Sequence, residues 1–158
     1  MNEKDCKVVV KRYEYEEPYH TQLEFQVSNG RFSARVDFYC NVEDIKSIGR
    51  ELLNFPQKIG DECCYTCGSE KPEDRCYRLF VMRAYTLDSK GHCALQFKIN
   101  LNGKEPSEGQ AVFSLPVEAH AINRLGGLFV TFSELKHKEF HWTNKDDALF
   151  ADYQSYSF

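Results

Sequence analysis

Apolar and polar positions alternate over much of this chain. Val9, Tyr13 and Tyr15 share one face of a first predicted strand, over Lys7 to Tyr15, which Pro18 ends. Leu23, Phe25 and Val27 then alternate with Glu24, Gln26 and Ser28. Asn29-Gly30 follows, a strong signal for a tight hairpin turn. Beyond it Phe32, Ala34, Val36, Phe38 and Cys40 alternate with Arg31, Ser33, Arg35, Asp37 and Tyr39, which predicts the returning strand.

The period changes after Cys40. Val42, Ile45, Ile48, Leu52 and Phe55 recur at spacings of three and four, the mark of a helix with one apolar face. Asn41 is placed to cap it, and Glu43 and Asp44 stand in the first turn, where the helix dipole favours negative charge. Pro56 stops the helix at Asn54 or Phe55. Its apolar face is expected to lie on the hairpin, because neither element can bury that face alone.

Residues 57–75 read as a long Cys-rich loop, with Gly60, Gly68, Pro72 and many charges. A strand over Cys76–Leu87 has one phase of Tyr77, Leu79, Val81, Arg83, Tyr85 and Leu87, and another of Phe80, Met82 and Ala84. A turn at Asp88-Ser89-Lys90-Gly91 leads to a strand with Cys93, Leu95, Phe97, Ile99 and Leu101 inward. Asn102-Gly103 turns the chain again, and Gln110–Leu115 is a short strand. A second helix is predicted from near Ser114, with Pro116 in the first turn, where its missing N–H costs little. Its stripe is Ala119, Ile122, Leu125, Leu128 and Phe129. Gly126-Gly127 falls within it and either ends the helix, allows close packing or divides it. The tail, 136–158, is charged and aromatic, and is either disordered or supplies one more strand.

These elements predict a single α+β domain over 1–158, with one antiparallel sheet of about five or six strands and two helices packed on one face. The predicted core includes Phe25, Phe32, Val36, Phe38, Ile45, Ile48, Leu52, Leu79, Val81, Leu95, Phe97, Ile99, Ile122 and Leu125. At 158 residues and 42% hydrophobic content, the chain matches one globular domain. No apolar run approaches the roughly 18 residues of a membrane span, so no membrane contact is expected. The polar start Met1-Asn2-Glu3-Lys4-Asp5 lacks a secretory pattern, so the expected location is cytoplasmic.

Lysine and arginine number 20 against 24 aspartates and glutamates, a net charge of -4. The longest basic cluster, Lys136-His137-Lys138, is flanked by Glu134 and Glu139. Sequence-independent phosphate binding is thereby disfavoured, and no nucleic-acid partner is expected. The acidic balance suits solubility or a basic protein partner. Seven cysteines, an odd number, fit reduced thiols better than a secreted disulfide framework. Cys40 and Cys93 fall at inward positions of strands and read as small core residues.

The sharpest local feature is Cys63-Cys64-Tyr65-Thr66-Cys67, followed by Cys76. Four thiolates can hold zinc tetrahedrally, although a structural zinc site usually offers two close pairs and here the second is missing. Zinc is thus the one cofactor the cysteines suggest, beside a thiol-redox role or plain loop thiols. His20, His92, His120, His137 and His141 form no zinc-enzyme pattern, and His137 and His141 read as surface residues. No nucleophile elbow, phosphate-cradling loop or dinucleotide fingerprint is present, nor a recognisable acid–base carboxylate pair, so no enzyme activity is expected. Tyrosines of the N-terminal segment and the tail are candidate contact residues, since Tyr is enriched at interfaces.

The pattern over roughly residues 22–135 resembles that of WapI-like bacterial immunity proteins and related uncharacterised families. The resemblance rests on the strand Arg31–Cys40 leading into Val42-Glu43-Asp44-Ile45 and Glu51-Leu52-Leu53-Asn54-Phe55. It continues through the two-strand stretch Arg78–Leu101 and ends in the helix carrying Leu115, Pro116, Val117, Ile122 and Leu125. It implies an immunity protein: a non-enzymatic cytoplasmic binder that inhibits a cognate toxin, with a toxin domain as partner. The alternative is a small zinc-binding or thiol-redox protein using Cys63, Cys64, Cys67 and Cys76.

Overall fold

The alternating segments pair into two antiparallel sheets, not one. In the computed structural model, which describes residues 5–145 and 148–151, the chain first forms β1 (Lys7–Glu14), β2 (His20–Ser28), β3 (Ser33–Asn41) and helix α1 (Val42–Leu53). It then forms β4 (Glu62–Gly68), β5 (Arg78–Thr86), β6 (His92–Leu101), β7 (Gly109–Glu118) and helix α2 (Ala119–Phe132). Finally β8 (Glu139–Thr143) and β9 (Ala148–Ala151) return to the first sheet. The strand orders are β3-β2-β1-β8-β9 and β4-β5-β6-β7. The α+β class and the two helices agree with the sequence reading; the single sheet does not.

Each departure has a local cause. The Cys-rich loop contains β4, because Cys63, Tyr65 and Cys67 alternate with Glu62, Cys64 and Thr66 and so carry a strand period. The second helix starts at Ala119, not near Ser114. Ala111, Phe113, Leu115 and Val117 sit inward, paired with Ile99, Phe97, Leu95 and Cys93, which extends the strand to Glu118. β7 is an edge strand, so Pro116 is tolerated there. Asn41 stands at the N-cap position of α1 with extended backbone but makes no side-chain cap hydrogen bond. Part of the tail is ordered: β8 pairs with β1, and Phe140 and Trp142 are buried. Tyr153, Tyr156 and Phe158 lie outside the described residues, as do Asp146, Asp147 and Met1–Lys4.

The core lies between the sheets and is largely aromatic. Phe80 of β5 sits 4.4 Å from Phe25 of β2 and 4.9 Å from Phe38 of β3, ring centre to ring centre. Phe140 meets Phe129 and Phe132 of α2 edge-on at 5.3 and 5.0 Å. On β5 the core phase is therefore Phe80, Met82 and Ala84. Val81 points outward, and Leu79 is buried on the opposite face of the sheet. Phe32, expected inside, is 64% exposed because it falls in the hairpin turn before β3 begins. The remaining predicted core residues are buried, as are Cys40 and Cys93.

The two helices meet directly. A Cβ at Gly126 would lie 2.6 Å from both the Gly49 carbonyl oxygen and the Leu53 nitrogen. One at Gly49 would lie 2.8 Å from Val130 Cγ2. Of the readings open for Gly126-Gly127, close packing is the one realised, and α2 runs through both glycines unbroken. Asn123 of α2 donates from Nδ2 to the carbonyls of Leu52 (2.8 Å) and Phe55 (2.6 Å), tying α2 to the carbonyl end of α1 and the residues just past it. Among the described residues no helix is long and apolar enough to cross a membrane.

Gly126→Ala is expected to destabilise the fold by roughly 1–3 kcal/mol through overpacking. Gly127→Ala, whose Cβ would meet only Leu53 Cδ2 at 3.8 Å, is expected to stabilise it by up to about 1 kcal/mol through helix propensity. Urea midpoints check both, and a shift in the same direction for both variants would contradict the close crossing.

Candidate binding face

The outward side of β1, β2 and β3 collects Tyr13, Tyr15 and Tyr39. Val9, Lys11 and Tyr13 point away from the core, since Val8 and Val10 of the other phase are buried in it. Cross-strand pairing sets Tyr13 beside Gln22 and Gln22 beside Tyr39. Tyr15, just past β1, lies 4.7 Å from Tyr39, ring centre to ring centre, at an angle of 55°. Tyr13, Tyr15 and Tyr39 are 46%, 46% and 58% exposed, and Tyr19 in the following turn is 76% exposed. A groove of about 410 Å³, lined by Lys7, Val9, Gln26, Ser33 and Arg35 among others, runs over the same sheet.

The turn carrying Tyr15 and Tyr19 is anchored from below. Arg12 is almost wholly buried and holds Glu17 with Nη1 at 2.6 Å. It also donates to the carbonyls of His137 (3.0 Å) and Leu135 (3.1 Å). Thr21 Oγ1 donates to Glu17 at 2.8 Å, and the Val42 amide donates to the Tyr19 carbonyl at 3.0 Å. Removing either partner would leave a buried charge unpaired. Neither Arg12 nor Glu17 was among the sequence candidates. The available signal was a charged residue on the inward phase after Val8 and Val10.

Two acids of this face are paired with cations. Glu24 is buried and accepts from Tyr13 Oη at 3.2 Å, with Arg35 as its ion-pair partner. Glu139 pairs with Lys11 at 3.6 Å and with His141 Nε2 at 3.2 Å. Asp37 accepts from Gln22 at 3.2 Å. A hydrogen bond with Glu16, its charge and the neighbouring Tyr39 raise the Tyr15 phenol pKa above its ordinary 10.0. The phenol therefore stays neutral at physiological pH.

The proposed zinc ligands are dispersed by strand geometry. Cys63 and Cys67 pack against the core side of β4, while Cys64 is on its outward face and exposed. Cys76 lies beyond the strand. Among the described residues no group of three or more His, Cys, Asp or Glu side chains is placed to hold a metal. Cys63 donates to Glu51 Oε2 at 3.3 Å, and burial together with that carboxylate pushes its pKa up to about 12. Burial, with Cys67 nearby, pushes Cys40 up to about 12 as well. The histidines are not gathered either. His137 is half-buried, its ring stacked 4.2 Å from that of Phe150. His92 Nδ1 lies 2.6 Å from Asp88 Oδ2, and its Nε2 lies 3.5 Å from Glu118 Oε1.

No protein-family model matches the chain, and no curated protein does. Among solved structures it is similar to the plant transcriptional regulator PBF-2, with TM-score 0.48, 14% identity, and coverage of 84% of this chain and 76% of that one. It is also similar to WHY1 from Arabidopsis thaliana, with TM-score 0.48, 11% identity, and coverage of 84% and 85%. WHY3 from the same plant gives TM-score 0.44, 11% identity, and coverage of 84% and 83%. No comparison supports a toxin-immunity function, a toxin partner or the exclusion of nucleic acid, and these expectations are withdrawn. The longer β7 takes up Leu115, Pro116 and Val117, where a helix start was predicted.

Thiol labelling is expected to reach Cys64 ahead of Cys63, Cys67 and Cys40; mass mapping after brief treatment with iodoacetamide at pH 8 reads the order. A second expectation concerns His92, whose pKa is raised above 6.5 first by its hydrogen bond to Asp88, then by the charges of Asp88 and Glu118. Asp88 is lowered below 3.8, first by the same hydrogen bond. The histidine's contribution to stability is thus complete below pH 6.5 and fades as pH rises through its folded value. That of Asp88 is complete above about pH 4 and fades as pH falls through its own lowered value. NMR titration should place the His92 midpoint above 6.5, and Asp88→Asn should move it back down.

Proposed function

We propose that this protein is a non-enzymatic binder of single-stranded nucleic acid, and that unpaired bases stack on the tyrosine corner of the five-stranded sheet. The observation that carries this reading is the set of three exposed tyrosines, Tyr13, Tyr15 and Tyr39, gathered on one face at the corner whose turn the Arg12–Glu17 pair holds. Rings on a sheet face are platforms for successive bases, and stacking is tolerant of sequence because every base has a π-face. Glu24 and Glu139, paired with cations of the same face, do not repel a phosphate backbone there. Lys7 lines the adjoining groove and supplies positive charge there.

With a net charge of -4, and with Lys11 and Arg35 of this face paired with acids, affinity comes from stacking more than from phosphate contact. The salt dependence is accordingly shallow, a slope of about -1 to -2 in log K against log salt. Fluorescence anisotropy with a labelled oligothymidine of about twelve nucleotides tests the reading. Tyr39→Ala and Tyr13→Ala are each expected to weaken binding by roughly 5- to 100-fold, and a duplex of equal length to bind less well. An absence of binding to single-stranded DNA and RNA at low salt, or binding unmoved by both variants, would falsify the proposal.

A further inference from the structure

Away from the tyrosine face, the β4–β5 connection and the β6–β7 turn enclose a cleft of about 900 Å³ at one end of the four-stranded sheet. That volume is in the range of small-ligand sites. Lys71, Arg75 and Tyr77 line it. Tyr77 is 79% exposed. No side-chain partner accompanies any of the three among the described residues.

The loop that presents them is braced. Asn102, from the opposite turn, donates from Nδ2 to the carbonyls of Ser69 (2.7 Å) and Cys76 (3.1 Å). Its amide donates to the Tyr77 carbonyl at 3.0 Å. Ser69 Oγ bonds Asp74 at 2.7 Å and accepts from the Lys71 amide at 3.0 Å. Arg75 takes a φ of 52°, the left-handed region that costs a non-glycine residue about 1 kcal/mol or more. Backbone held there by its surroundings, with a free guanidinium, is a feature found at ligand sites. Of the acids lining the cleft, Glu70 is engaged by Asn100 at 3.0 Å and by Lys98 at 3.3 Å. Glu108 also lines it and makes no ion pair with either cation among the described residues.

We infer that this cleft binds a nucleoside phosphate, the base stacking on Tyr77 and the phosphate held by Arg75 and Lys71. An exposed ring beside two unpaired cations on a pre-organised loop matches a base with an attached phosphate, and the bracing lowers the ordering cost of binding. The same chemistry is offered by a free nucleotide and by the phosphorylated end of a strand. The site is independent of the tyrosine corner.

Isothermal titration of the intact protein with AMP and with inorganic phosphate tests the inference. AMP is expected to bind at least about tenfold more tightly than inorganic phosphate, and Tyr77→Ala to weaken AMP about tenfold. Arg75→Gly, which suits the left-handed backbone and removes only the side chain, should also weaken AMP about tenfold. No AMP binding, AMP no tighter than phosphate, or AMP affinity unmoved by Tyr77→Ala would overturn it. An oligothymidine with and without a 5′-phosphate separates the two sources. A gain from the phosphate that Arg75→Gly cancels identifies a strand end, and AMP binding without that gain identifies a free nucleotide. Tyr39→Ala should leave AMP affinity unchanged. Oligothymidine binding without AMP binding would therefore sink this inference and spare the reading of the tyrosine face.

Discussion

The contact between Gly49 and Gly126 sets the geometry on which the two halves of the molecule depend. Each half is a run of strands followed by a helix, and the halves are joined where those helices cross. At the crossing, backbone meets backbone with no room for a methyl group. Interiors are close-packed, so a spacing fixed at one crossing is transmitted to the layers on either side. Here it sets how Phe129 and Phe132 reach Phe140, and it brings Asn123 of α2 onto the carbonyl end of α1. The aromatic seam of Phe25, Phe38 and Phe80 then joins the two sheets.

The binding corner depends on a second, polar constraint. Arg12 is a charged side chain in an otherwise apolar phase, and its three nitrogens are spread over Glu17 and two backbone carbonyls of the segment before β8. A guanidinium that ties the β1–β2 turn to the segment before β8 holds that turn, and with it Tyr15 and Tyr19, in one place. Aromatic rings on a fixed turn lose little freedom when a flat ligand stacks on them, which favours binding over a set of mobile side chains.

Much of the fold was legible in the sequence where one period dominated. The hairpin around Asn29-Gly30, the helix after Asn41 and the inward phase of β6 all follow from alternation or helical spacing, and the structure keeps them. The sheet count was not legible, because alternation says which face of a strand is buried and nothing of which strands share a ladder. β4 was hidden by its cysteines, which read as chemistry although they occupy strand positions. The start of α2 was hidden by Pro116, which suits a first helical turn and an edge strand equally. On β5 both phases are apolar, so the choice between Phe80 and Val81 needed the partner sheet. For the candidate site, Tyr13 and Tyr15 were readable as sharing a face and Tyr39 as an outward residue, but their meeting across β2 is set by register. Arg12 and Glu17 show only as charges, since the buried pocket that unites them is built from residues more than a hundred positions away.

The pairing of β1 with β8 carries a consequence for how the chain comes together. β1 is an interior strand of its sheet, with β2 on one side and β8 on the other. The first neighbour is local in the chain, but the second is more than a hundred residues downstream. During synthesis the early hairpin therefore waits with one hydrogen-bonding edge of β1 open, and with Val8 and Val10 lacking the cover of Phe140 and Trp142. An open apolar edge invites pairing with another chain. Completion of the domain is consequently a late, non-local event, of the kind that makes folding slow and places a premium on protecting nascent chains until their last strands emerge.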